Sequence, residues 1–115
     1  MEPYEKLANA IILQAAKDYR ACRKFLQQHP RTRELEAVVA AQIARRERRQ
    51  AKRKEKGLPV VKAKHSREEL LLKRIGLAER EIAGIERFFR SKWYRQLTDA
   101  DGETVLQKLQ EEEWT

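Results

Sequence analysis

Ala8, Ile12, Ala15, Tyr19, Cys22 and Leu26 follow one another at spacings of 4, 3, 4, 3 and 4 residues, and Leu71, Ile75, Ala78, Ile82, Ile85 and Phe89 repeat those spacings. Such a pattern keeps one face of an α-helix apolar and leaves the others polar. A strand, whose side chains alternate with a period of two, buries neither run. The two stripes therefore predict a pair of long helices packed antiparallel in a coiled-coil-like manner. Four Gly and three Pro are too few turn formers for an all-β fold. With 115 residues, 38% of them charged, the core is small and long amphipathic helices are favoured over a globular sandwich.

Punctuation sets the expected helix ends. Pro3 suits a first helical turn and Pro30 cannot lie inside a helix, so the first helix is expected over 3–28, its stripe widened by Leu7, Ile11 and Phe25. The second is expected over 32–56. Glu34 and Glu36 lie in its first turn, where the helix dipole favours negative charge, and Gly57 offers a left-handed cap. Leu35, Val38, Val39 and Ile43 form a short apolar stripe, which then stops. Across residues 45–56 the only nonpolar side chain is Ala51, so this half has nothing to bury and is expected to protrude into solvent or fray. Residues 57–65 read as an extended loop. Ser66 and Glu69 form an S-x-x-E capping box opening a third helix over 66–91, in which Gly76 and Gly84 are expected to allow close helix approach. Residues 91–97, which carry Trp93, Tyr94 and Leu97, either end that helix or fold back as a short helical turn. Thr98 with Asp101 opens a short fourth helix over 98–113, with Val105, Leu106 and Leu109 inward and Glu111, Glu112 and Glu113 at the unfavourable end of its dipole. The expectation is a single all-α domain over 1–115: a hairpin or bundle of three long helices, a short C-terminal helix, and a protruding basic helix.

The formal charge of +8 is concentrated. Residues 45–67 hold eleven Lys and Arg against Glu47 and Glu55, which gives this segment +9 and the rest of the chain −1. Its explanation must be local. Closely spaced cations suit closely spaced phosphates, whose neutralisation releases counterions. The candidate contact residues are Arg45, Arg46, Arg48, Arg49, Lys52, Arg53, Lys54, Lys56, Lys62 and Lys64. On a helix Arg45, Arg49 and Arg53 share a face, Arg46, Arg49, Arg53 and Lys56 form an overlapping stripe, and Arg48, Lys52 and Lys56 lie alongside. Twelve helical residues extend about 18 Å, enough to lie along a nucleic-acid groove. Gln50 is the only amide within 45–56, and Asn, Ser and Thr are missing there, so contact with the backbone is favoured over reading of base edges. An acidic protein surface is the other partner such a run fits. A merely solvated helix is the third explanation, although a run of one sign repels itself without a counter-surface. The apolar stripe before Arg45 spans about two heptads, short for a zipper, and leaves monomer and homodimer both open.

Phe88, Phe89, Trp93 and Tyr94, interleaved with Arg87, Arg90, Lys92 and Arg95, resemble a base-stacking platform. Helical spacing instead assigns Phe89 and Trp93 to the core, leaving Tyr94 as the exposed member, with Arg90 and Lys92, in a secondary contact. The Asp99 to Glu103 stretch lacks a carboxylate that a calcium loop needs and reads as capping. Two isolated His and one Cys make no metal set. No Gly-rich phosphate loop or nucleophile triad is present, so no catalytic residue and no cofactor are expected, and the protein reads as non-enzymatic. The opening residues lack a basic leader region and no apolar run approaches the ~18 residues of a membrane span, so a cytoplasmic location without a membrane partner is expected. A single Cys suits that reducing setting.

Two stretches carry a resemblance. One is Ala8-Asn9-Ala10-Ile11-Ile12-Leu13-Gln14-Ala15-Ala16-Lys17-Asp18-Tyr19-Arg20. The other is Glu81-Ile82, Ile85-Glu86-Arg87-Phe88-Phe89-Arg90-Ser91-Lys92-Trp93-Tyr94, then Leu97-Thr98-Asp99-Ala100-Asp101-Gly102-Glu103 and Leu106 to Leu109. Together they resemble short helical proteins of phages and integrative elements of Gram-positive bacteria. The likeness covers under half the chain and attaches no catalytic or binding residue to the pattern. Those relatives have less between the two stretches, so what is particular to this chain resides in the interposed basic segment. The resemblance implies a mobile element in a bacterial host cell, and two roles. One is a DNA-associated regulator or packaging accessory, binding DNA or RNA. The other is an anti-CRISPR-like inhibitor of a host defence nuclease, competing for its nucleic-acid channel or binding its acidic surface.

Overall fold

The computed structural model describes residues 2–62 and 64–113. It is all-α, with three long helices, α1 (Pro3–Gln28), α2 (Arg33–Glu55) and α3 (Arg67–Phe89), and two short ones, α4 (Lys92–Leu97) and α5 (Gly102–Glu111). Among the described residues there is no strand, and no helix is long and apolar enough to cross a membrane. The chain divides into two compact units. One contains α1, the second part of α3, α4 and α5. The other contains α2, the segment that follows it, and α3 as far as Gly76.

In the first unit the apolar stripes do what their spacing requires. Ala8, Ala16, Tyr19 and Cys22 of α1 and Ala78 and Phe89 of α3 are buried. Ala16, Tyr19 and Phe89 join Tyr94, Leu106 and Leu109 in one core, flanked by Ile12, Ala15, Ile82, Ile85, Phe88 and Val105. The two helices run antiparallel: Cys22 Sγ donates to Glu81 Oε2 at 3.3 Å, while Ile11 and Ala15 line one groove with Ile85 and Phe88. Burial, then the Glu81 carboxylate, pushes the Cys22 thiol up to about 11. A thiol that stays protonated and covered is a poor nucleophile. Cys22 is therefore expected to react with an aromatic disulfide reagent at pH 8 at least about a hundredfold more slowly than in guanidinium, measured by absorbance.

The third helix stops at Phe89, two residues before the expected 91. Ser91 takes an extended backbone, accepts the Tyr94 N–H at 3.1 Å and donates to the Phe88 carbonyl at 2.6 Å, capping α4. This break resets the helical phase, so Phe89 and Trp93 do not share a stripe. The two aromatic assignments are thereby exchanged: Tyr94 is 1% exposed and Trp93 54%. Tyr94 is core, not a contact residue. Phe88 meets Phe89, Trp93 and Tyr94 edge-on at ring separations of 5.3–5.7 Å. The Tyr94 hydroxyl is buried with no hydrogen-bond partner among the described residues, and desolvation with the nearby Asp101 charge raises its pKa. An orphaned buried hydroxyl costs about 1–3 kcal/mol. Tyr94→Phe is accordingly expected to raise the thermal midpoint, read by circular dichroism.

The last helix begins at Gly102, not near 98. Asp101 is its cap, accepting from the Thr104 N–H at 3.3 Å and its hydroxyl at 2.7 Å, whereas Thr98 only closes a local turn onto Ala100. Its acidic end is held rather than frayed. Arg20 grips Glu112 through Nε and Nη2, each at 2.8 Å, and Arg23 donates to the Leu109 carbonyl at 3.1 Å. Cations at a helix C-terminus offset the charge that makes Glu unfavourable there. Gly76 and Gly84 do not mediate close helix approach. An added Cβ would meet only the Arg31 guanidinium at 3.8 Å and the Arg87 guanidinium at 3.7 Å.

In the second unit, the Thr32 hydroxyl accepts the Leu35 N–H and starts α2. At the other end Gly57 adopts φ +69, and the N–H groups of Gly57 and Leu58 return to the carbonyls of Lys54 and Arg53 at 3.1 and 2.9 Å. That pair of bonds is the Schellman motif, which needs a residue at ease in the left-handed region. It turns the chain back toward α2.

Candidate functional site

The stripe that α2 covers does not end where its apolar residues end. Leu35 is half-buried and Val39 buried. The same stripe continues at spacings of 3, 4, 4 and 3 through Gln42, Arg46, Gln50 and Arg53, all half-buried. Val38 and Ile43, placed by sequence on the short apolar stripe, are exposed. Each polar member of the stripe ties down returning chain. Gln42 accepts from the Ser66 hydroxyl at 2.5 Å and donates to Glu68 at 3.3 Å. Arg46 pairs with Glu69. Gln50 donates to the Val61 carbonyl at 3.5 Å and Arg53 to the Pro59 carbonyl at 3.1 Å. The basic half of α2 projects into solvent on most of its surface, as expected, but one stripe of it has a partner within its own unit. Hydrogen bonds to backbone carbonyls replace apolar burial.

Glu69 departs from its expected role as well. Ser66 Oγ accepts the Glu69 N–H at 3.1 Å, half of a capping box, but the Glu69 carboxylate turns to Arg46 and to His65 Nδ1 at 2.9 Å. The His65 bond, then Arg46, holds its pKa below the usual value of 4.5; its own backbone N–H, then Gln42, lowers that of Glu68, and Arg20 lowers that of Glu112. A lowered native pKa adds stability that is complete above the unfolded value and lost as pH falls through the native one. Thermal midpoints are expected to hold from pH 7 to about 4.5 and to decline below it.

Two of the ten candidate cations, Arg46 and Arg53, are thus structural. The remaining eight, Arg45, Arg48, Arg49, Lys52, Lys54, Lys56, Lys62 and Lys64, are exposed, and their side chains make no ion pair or hydrogen bond among the described residues. Arg45, Arg49, Lys52 and Lys56 step by 4, 3 and 4, so they form one uncompensated stripe beside the covered one, within an arc of about 60°. Glu47 and Glu55 fall outside that arc. Lys62 and Lys64 face the same space as Arg45 and Arg49.

These elements enclose a trough of about 560 Å³. Arg45, Arg49 and Arg53 line it from α2, Val61, Lys62 and Lys64 from the returning segment, and Ser66 and Glu69 from the start of α3. Glu69 is the only carboxylate in the lining, and Arg46 already neutralises it. Five cations face the space without a counter-charge. No aromatic ring lines it. Like charges held together in this way attract a polyanion strongly. Lys62 and Lys64 thus join the α2 stripe, Arg48 borders it one turn before Lys52, and Lys54 lies on the opposite side of the helix.

The secondary contact is not assembled. Tyr94 is buried, Arg90 pairs with Glu103, and only Lys92 remains exposed without a partner among the described residues. Sequence reasoning missed the anchoring role of Gln42, Gln50 and Glu69. The signal was present in the 3-4 spacing that carries the Val39 stripe onward through side chains usually assigned to solvent. No protein family, no curated protein and no solved structure matches the chain.

Proposed function

We propose that this is a non-enzymatic nucleic-acid-binding protein that holds its ligand chiefly through phosphates. The observation that carries this reading is the stripe Arg45, Arg49, Lys52 and Lys56, left without a carboxylate partner, whose members Arg45 and Arg49 line a trough of about 560 Å³ together with Lys62 and Lys64. Nearby cations in the folded chain repel one another, and closely spaced phosphates relieve that repulsion while releasing counterions. Base reading has little support, because the amides of Gln42 and Gln50 are engaged in holding the fold. A regulator or packaging accessory of a mobile element, acting in the bacterial cytoplasm, suits these properties and the resemblance described above. Fluorescence anisotropy with labelled DNA and RNA provides the test. Dissociation constants in the micromolar range at ~50 mM salt are expected, with affinity reduced about 60- to 250-fold at ~200 mM. No binding at the lower salt rejects the reading.

A second reading, contact with a host protein such as a defence nuclease, draws on another surface. In the first unit Ile11, Ala15, Ile85, Phe88 and the exposed Trp93 line an apolar groove of about 520 Å³, bordered by Asp18 and Glu81. Exposed apolar grooves with a polar border are common protein contact sites. Retention of one partner from nuclease-treated lysate, lost with Trp93→Ala, favours this reading; a chain recovered alone removes it.

A further inference from the structure

We infer that the ligand of the trough is a single-stranded phosphodiester chain rather than a duplex. This rests on the nucleic-acid reading above and adds the form of the strand.

The first argument is width. An α-helix with its side chains is about 10–12 Å across, which just fills a major groove about 12 Å wide. A helix that reads a duplex from that groove must be bare around most of its circumference. Here the segment after Gly57 lies on the Arg46, Gln50 and Arg53 stripe, pinned by the bonds to Val61 and Pro59. Even one layer of chain adds about 5 Å. Helix and segment together exceed the groove, so α2 cannot enter it in this form.

The second argument is where the cations sit. They line two sides of a trough, Arg45 and Arg49 from α2 and Lys62 and Lys64 from the returning segment. A duplex is a thick cylinder that touches the rims of such a trough. A single strand lies within it and reaches both sides. The trough has no ring for a base to stack on, so the strand is held by its phosphates and its bases face outward, with little sequence preference.

The experiment uses the full chain with 12-nucleotide single-stranded DNA, single-stranded RNA and the corresponding DNA duplex at ~50 mM salt. At least about tenfold tighter binding to either single strand than to the duplex is expected. The double variant Lys62→Glu, Lys64→Glu removes one side of the trough and is expected to weaken single-strand binding at least about tenfold, whereas Lys54→Glu, on the side of α2 opposite the stripe and outside the trough, changes it less than about threefold. Circular dichroism confirms that the variants are folded; Lys62→Gln with Lys64→Gln replaces the double variant if it is not. Duplex binding equal to or tighter than single-strand binding, or no effect of the Lys62 and Lys64 substitutions, overturns the inference and leaves the nucleic-acid reading standing. Failure of all three ligands to bind overturns both.

Discussion

Replacing Gly102 with alanine is expected to lower the melting temperature by about 12 °C or more, the largest stability effect of any single substitution considered for this chain. A Cβ at that position would lie 1.8 Å from the Phe89 carbonyl oxygen, 2.9 Å from its carbon and 3.1 Å from Tyr94 Cδ1. The nearest atoms are backbone at the end of α3 and cannot rotate aside. Overpacking ordinarily costs about 1–3 kcal/mol, and a collision with main chain belongs at or beyond the top of that range. Each kcal/mol moves the midpoint by about 4–8 °C in a domain of this size. The same change at Gly84 is expected to have the opposite sign. Only the mobile guanidinium of Arg87 is near, and alanine is worth about 1 kcal/mol more than glycine inside a helix. Thermal melts of the two variants side by side separate packing at one glycine from helix propensity at the other.

Reversing the uncompensated stripe with Arg45→Glu, Arg49→Glu and Lys52→Glu is expected to abolish polyanion binding and shift the thermal midpoint by no more than about 6 °C. Surface changes that break no contact usually stay within about ±0.5 kcal/mol, and these three side chains make no ion pair or hydrogen bond among the described residues. Arg46→Glu is expected to behave in the reverse order. It sets a carboxylate against Glu69, whose side chain is only 8% exposed, and so loosens the tie between α2 and the start of α3. Its first effect is then a lower midpoint. Melting curves and binding isotherms on the same two proteins distinguish a cation that contacts a ligand from one that holds the fold. Loss of stability in the triple variant would mean that the stripe has structural partners.

The helices α1 and α3 were legible because their buried faces are apolar: Ala8, Tyr19 and Cys22 in one, Ile75, Ala78 and Phe89 in the other. Hydrophobic spacing says nothing, however, about a face buried through hydrogen bonds. That is why the covered stripe of α2 was lost beyond Val39, where Gln42, Arg46, Gln50 and Arg53 carry it to the end of the helix. Amides at 42 and 50, in register with Val39, are the mark such a face leaves in sequence. Trp93 and Tyr94 were exchanged for a different reason. A helical stripe can be extrapolated only while the helix continues, and Ser91 ends one helix and caps the next within two residues. Glycines misled in a third way. Gly76 and Gly84 sit in a helix, where close approach is the usual explanation, yet the crowded glycine is Gly102 at a helix start, whose neighbour Phe89 is thirteen residues away.

The candidate site was half legible. Its charge was visible as +9 within residues 45–67. Its shape was not, because the second side depends on the Gly57 turn and on two bonds from side chains to carbonyls. Those bonds also sort the cations: Arg46 and Arg53 belong to the fold, and the neighbouring stripe remains for a ligand.

The central claim is that this stripe is available to phosphates. Its most direct measurement is the slope of log affinity against log salt for a single-stranded oligonucleotide. Four to six phosphate contacts give a slope of about −3 to −4, and Lys52→Gln is expected to make it shallower by about 0.7, the increment of one contact. A slope near zero, or one that Lys52→Gln leaves unchanged, would contradict the account.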